Sequence, residues 1–306
     1  MLKARGTDAV LRCCSVYDRL MMAQANDPIG SGVAFTERES SVQEGVKVRV
    51  MEWRPKVDSG VPPIVFVAGW VSVIEGWRPL LEVLVPGRRL VYIETREKRS
   101  AEIAPQQLKV SNFTVARLAE DLCRISEGLG LDEGGAVWFG SSMGSNAIIE
   151  AFKGDRLPAR GAFLVGPNAG FRVPWWSRPL LHLPAVAYHP AKRFVLWYIR
   201  RFRVNVEEDP EQMRRYVRTL NAADPVRLKL SARAVINYSV WPGLESIGVP
   251  VAIAFAASDT LHGEDEARAI VDKLPRGRAV ECPSNTYMHD ADVARDIERF
   301  LESLDD

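Results

Sequence analysis

A serine stands between two glycines in Gly140-Ser141-Ser142-Met143-Gly144, after the apolar run 135–139 and before a helix-forming stretch, 145–151. This is G-x-S-x-G in a strand-to-helix setting, where a strained turn holds a hydroxyl clear of a sheet as a nucleophile. The amide of Met143 falls at the helix start, where negative charge is favoured. A serine hydroxyl attacks only when a base takes its proton, and that base needs a third group to orient it. The order serine, acid, histidine is met by Asp259, just past the apolar run 250–256, and His289, past the last strand-like run. His262 is a rival base, but it lies only three residues beyond Asp259 on the same loop; His182 and His189 belong to an insertion. Asp290 adjoins His289, but a helical neighbour position directs it away.

Acyl transfer also needs two amides aimed at the developing oxyanion. Met143 supplies one, and Trp70, in the loop Ala68-Gly69-Trp70-Val71-Ser72, is the candidate for the other, with Gly69 permitting the tight turn. Each residue alone also fits a structural role: Asp259 as a turn cap, His289 as a surface helix start, Gly69 as a buried turn. Their order along the chain is what joins them.

The elements that must position these groups alternate. Residues 33–39 and 46–53 read as an antiparallel edge hairpin, and 63–68 as a strand buried on both faces. A helix at 76–85, a strand at 89–94 and a helix at 114–128 capped by Asn112 follow, then the serine strand and its helix (136–153) and a strand at 162–165. After an insertion come a strand at 250–256, a helix at 264–274, a strand at 278–282 and a closing helix at 289–304 that His289 opens. Such alternation predicts an α/β fold with a mostly parallel sheet between helices. The domain reading is a core of residues 1–166 and 247–306, with 1–30 as a helical extension (helix 5–24), interrupted by a helical cap at 167–246.

The cap is rich in tryptophan, proline and arginine, with helices expected at 192–204, 210–222 and 225–238. Gly69, Trp175, Trp176 and Trp197 are its candidate pocket residues together with the core loop, and Arg172 and Arg178 are candidate carboxylate binders. Phe194, Trp197, Tyr198 and Phe202 interleave with Lys192, Arg193, Arg200, Arg201 and Arg203. The plainer reading is an amphipathic helix roofing the site with its arginines solvated; the other is weak association with a membrane surface or an anionic headgroup.

A net charge of +1 across 306 residues gives no field to gather nucleic acid. No apolar run approaches the ~18 residues of a membrane span, and residues 1–23 are broken by Arg5, Asp8, Arg12, Asp18 and Arg19, unlike a signal core. Cys13, Cys14, Cys123 and Cys282 lack metal-ligand spacing, so the expectations are a cytoplasmic protein with no metal and no cofactor.

With elbow, acid and histidine in place, the chain resembles a capped member of the α/β-hydrolase superfamily over residues 35–166 and 247–304. Ala68-Gly69-Trp70 followed by Gly76-Trp77-Arg78-Pro79-Leu80 is similar to the family stretch in which His-Gly-x precedes a tryptophan-led helix, although Ala68 replaces the usual histidine and Ser141 stands where many relatives have histidine. A serine rather than an aspartate at position 142 sets the chain apart from the epoxide-hydrolase and dehalogenase branches. The resemblance implies a serine hydrolase of small-molecule esters, forming an acyl-enzyme at Ser142. Alternatives are thioester, lactone or C–C hydrolysis, acyl transfer, or a catalytically silent receptor or scaffold.

Overall fold

A computed structural model describes residues 29, 32–57, 60–131, 135–171, 179, 181–182, 188–202, 210–257 and 263–305. The expected N-terminal helix 5–24 lies outside them. The described strands form one sheet in the order β1 (Val33–Gln43), β2 (Val46–Pro55), β4 (Leu90–Ile93), β3 (Ile64–Val67), β6 (Val137–Ser141), β7 (Gly161–Val165), β8 (Val251–Phe255) and β9 (Gly277–Glu281). The short β5 (Glu102–Ile103) pairs with β2. From β4 to β9 every pairing is parallel; β1, β2 and β5 add the antiparallel edge.

The central strands are apolar on both faces because helices cover both. Val65, Val67, Trp138, Leu164 and Ile253 face α2 (Val115–Gly128), α3 (Met143–Phe152) and α7 (Glu264–Lys273). Their alternates Ile64, Phe66, Phe139, Phe163 and Ala252 face α1 (Arg78–Leu84) and α8 (Ala294–Glu302). On that second face Phe66 meets Trp77, Tyr92 and Phe139 edge to face, with centroids 4.5–5.0 Å apart, a geometry that adds to the area each ring removes from water.

Between β7 and β8 the chain inserts α4 (Tyr188–Phe202), α5 (Pro210–Ala222) and α6 (Pro225–Val235). Asp224 caps α6, its carboxylate accepting the amides of Val226 and Arg227 at 2.9 Å. A helix stands at the expected 210–222, while α4 starts at 188 rather than 192 and α6 ends at 235 rather than 238; the face of α4 also differs. Phe194 and Trp197 stack 5.6 Å apart and are 46% and 54% exposed, beside exposed Arg193, Arg200 and Arg201. Trp197, expected over a pocket, therefore turns more than half its surface to solvent.

Two boundaries also differ. Thr114, not Asn112, caps α2, its hydroxyl accepting the Arg117 amide at 3.2 Å. Asn112 sits in the preceding 3-10 turn and donates to the carbonyl of Gln107. His289 does not open the last helix: it ends the 3-10 turn Tyr287–His289, and Asp290 caps the next turn by accepting the Ala291 amide at 2.6 Å.

Candidate active site

Four strand ends converge where the sequence places its chemistry. β6 runs into α3 through Ser142, whose backbone sits at φ 50°, ψ −117°. A non-glycine residue in that region carries about 1–3 kcal/mol of strain, and the surroundings enforce it. The Ser142 amide donates to the carbonyl of Val165 at 2.8 Å, and its carbonyl accepts the Asn146 amide at 3.1 Å.

The flanking glycines are required by contact. A Cβ on Gly144 would fall 2.1 Å from the carbonyl oxygen of Val67, and one on Gly140 would fall 2.8 Å from the Cα of Ser145. The elbow is thus wedged against the end of β3, which pairs with β6 in parallel so that Val67 lies beside Gly140.

The loop after β3 closes on the elbow. A Cβ on Gly69 would come 3.3 Å from the Ser141 carbonyl and 3.4 Å from Ser142 Cβ. Val71 is held at φ 47°, which a β-branched residue rarely adopts. Its amide donates to Glu97 Oε1 at 3.3 Å, and the same oxygen accepts the Thr95 hydroxyl at 2.7 Å. Glu97 is fully buried at the carboxyl end of β4. The Trp70 indole donates to Ser231 Oγ on α6 at 2.9 Å. Among the described residues neither the Trp70 amide nor the Met143 amide donates a hydrogen bond; Met143 follows Ser142 directly, and Trp70 follows Gly69, which sits close to Ser142.

His289 approaches from the other side of that loop. Its imidazole lies on the Trp77 ring, centroids 4.8 Å apart and planes at 34°. The buried Trp77 indole donates to Ser72 Oγ at 3.1 Å, and the Ser72 amide donates to the Gly69 carbonyl at 3.0 Å. Contacts therefore run from His289 through Trp77 and Ser72 to Gly69, the glycine that sits close beside the elbow. His289 Nδ1 lies 2.8 Å from the carbonyl of Asn285. A carbonyl only accepts, so this contact places the proton on Nδ1 and leaves Nε2 of the neutral ring as a base. The Asn285 side chain in turn accepts from Arg215 on α5 at 2.6 Å.

No protein-family model matches the chain, and no curated protein does. Solved structures do. An esterase from Thermogutta terrifontis superposes with a TM-score of 0.70 at 18% identity, covering 89% of this chain and 99% of that one. The enol-lactonase from Burkholderia xenovorans LB400 gives 0.66 at 17%, covering 87% and 98%. An esterase from Rhodococcus sp. ECU1013 gives 0.67 at 18%, covering 88% and 99%. At these identities the likeness is one of fold. The chain has the α/β-hydrolase fold.

Within this α/β-hydrolase fold, Ser142, Met143, Gly69, Trp70 and His289 are brought to one end of the sheet. Asp259, His262, Trp175 and Trp176 lie outside the described residues, as do Arg172 and Arg178. His182 is exposed.

The hydrolase fold also gathers residues that sequence reasoning passed over. Asn168, three residues past the end of β7, donates from Nδ2 to Ser142 Oγ at 3.3 Å. Glu97 holds the loop of Trp70. Neither belongs to a motif; the only signal is a polar residue just beyond a buried strand.

Proposed function

We propose that this protein is a serine hydrolase that cleaves carboxylic esters of small to medium apolar substrates through an acyl-enzyme on Ser142. The observation that carries the reading is the backbone of Ser142, strained at φ 50° between a sheet and the first turn of α3. In this reading Ser142 Oγ attacks the acyl carbon and its proton passes to His289 Nε2. The amides of Trp70 and Met143 receive the charge on the acyl oxygen. The His289 imidazolium then protonates the departing alcohol, and a water activated by His289 releases the acid. Asp259 is the orienting carboxylate, and residues 167–246 act as a cap over the site.

Several fold neighbours are named esterases, which supports an ester as the substrate. The second reading is a lactone. It is favoured by two neighbours, one named an enol-lactonase and one described as degrading N-acyl homoserine lactones. Both reactions pass through the same acyl intermediate. The test is a panel of p-nitrophenyl esters, lactones and thioesters run with the Ser142→Ala variant. Ester turnover that vanishes in the variant supports the reading, and turnover that persists refutes it.

A further inference from the structure

The nucleophile has a second polar neighbour that the triad scheme does not use, and a part-buried chain of hydrogen bonds fixes which way that neighbour faces. Lys153 Nζ donates to Glu150 Oε1 at 2.5 Å and to the Val240 carbonyl at 2.9 Å. Tyr238 donates its hydroxyl to the same Glu150 oxygen at 2.9 Å. A hydroxyl that has given its proton away can still accept, and it accepts from Asn146 Nδ2 at 3.3 Å.

Asn146 is completely buried on α3, one turn after Ser142. Its Nδ2 also donates to the Asn168 carbonyl at 2.8 Å, and its Oδ1 accepts the Asn168 amide at 2.9 Å. Because Tyr238 and the Asn168 carbonyl both require donors, the Asn146 amide has one orientation. Its oxygen must then face Asn168, so Asn168 meets it with Nδ2, at 3.3 Å. The same nitrogen lies 3.3 Å from Ser142 Oγ.

We infer that Asn168 is a catalytic residue, a fixed hydrogen-bond donor to the nucleophilic oxygen itself. This rests on Ser142 being the nucleophile, and adds a group to that mechanism. Nδ2 has no lone pair to offer, so Ser142 Oγ is the acceptor of this bond and the hydroxyl proton takes no part in it. Negative charge builds on Oγ as His289 removes its proton, and again as the bond from Oγ to the acyl carbon breaks in deacylation. A donor already in place stabilises that charge without reorganising. Atoms balance as in the proposed function, since Asn168 gains and loses no proton.

Burial and the Glu150 carboxylate push the Tyr238 hydroxyl well above the usual phenol range. The network therefore keeps its polarity through the neutral and mildly alkaline range in which an ester hydrolase is assayed.

The test measures the second-order rate of labelling by a fluorophosphonate probe, and the rate of p-nitrophenol release, for wild type, Asn168→Ala and Asn168→Asp. Asn168 is only half-buried, so Ala is tolerated; Asp keeps the volume and replaces the donor with an acceptor. Hydrogen bonds to charged groups of this kind correspond to about 10- to 100-fold in rate, and both variants should fall by that amount with the thermal midpoint largely kept. The Asp variant should be the slower. Wild-type labelling with variants within about twofold of it overturns the role of Asn168 and leaves the serine mechanism standing. A wild type that does not label overturns the serine reading on which it rests.

Discussion

The indole nitrogen of Trp70 donates to Ser231 Oγ at 2.9 Å, so a residue of the loop after β3 is tied through its ring to α6. Ser231 is itself buried and anchored to the carbonyls of Arg227 and Leu228 at 2.8 and 3.1 Å. The loop beside Ser142 and the inserted helices are thereby mechanically joined. Trp70→Phe retains the amide and an aromatic ring but removes the donor and part of the ring's packing. It should cost about 1 kcal/mol of stability, read as a lower urea midpoint, with ester turnover changed far less than in Ser142→Ala. Turnover lost as completely as in that variant would mean that the ring, rather than the amide, is what the site needs.

Glu97 offers a sharper test of the same loop. Glu97→Ala removes the acceptor of both the Val71 amide and the Thr95 hydroxyl. Leaving buried donors unmet costs about 1–3 kcal/mol, and Val71 at φ 47° then has no reason to keep its strained backbone. Melting temperature and turnover should fall together, with the larger loss in turnover. Full activity in a destabilised protein would show that the loop holds its shape without Glu97.

Away from the site, Arg96 is fully buried and binds Asp121 with two nitrogens, Nε to Oδ2 at 2.7 Å and Nη2 to Oδ1. It also donates to the Asn112 carbonyl at 2.9 Å. Asp121→Ala strands a guanidinium in the interior, a change that costs about 3–5 kcal/mol when a buried pair is broken. Chemical denaturation should show that loss, while turnover per folded molecule stays near wild type. A loss under ~1 kcal/mol, the scale of an exposed pair, would contradict a structural role for this ion pair.

Asp259 is assigned by its place after β8. If it sets the tautomer of His289, Asp259→Asn should lower kcat by roughly 10³–10⁴-fold with folding intact. The Nδ1 contact to Asn285 supplies an alternative orienter. A loss under tenfold would shift the role from Asp259 to that carbonyl.

Much of this was readable from local pattern. Gly140 and Gly144 announced a crowded turn because only a missing Cβ fits the contacts they make, and the apolar runs at 63–68, 135–139 and 250–256 announced strands covered on both faces. Local cues failed where neighbours compete. Asn112 and Thr114 both suit a cap, and Asn112 instead bonds back to Gln107, five residues earlier, in the preceding turn. His289, past the last strand, suits a helix start by position, but it ends a 3-10 turn, and Asp290 caps the turn that follows. Asn168 reaches Ser142 across 26 positions of chain and Trp70 reaches Ser231 across 161. No spacing rule encodes such contacts; they follow from strand order. The exposed stack of Phe194 and Trp197 runs against the amphipathic expectation, since periodicity places a face without saying which side meets water.

The central claim is a covalent acyl-enzyme on Ser142, and quenched-flow mass spectrometry of the intact protein tests it directly. Mixed with a p-nitrophenyl ester and quenched in acid within the first turnover, the protein should gain the mass of one acyl group. Peptide mapping should place that group on the segment containing Ser142, and the Ser142→Ala variant should stay unmodified. Ester turnover with no acyl adduct at any quench time, or an adduct that survives in Ser142→Ala, would contradict the account.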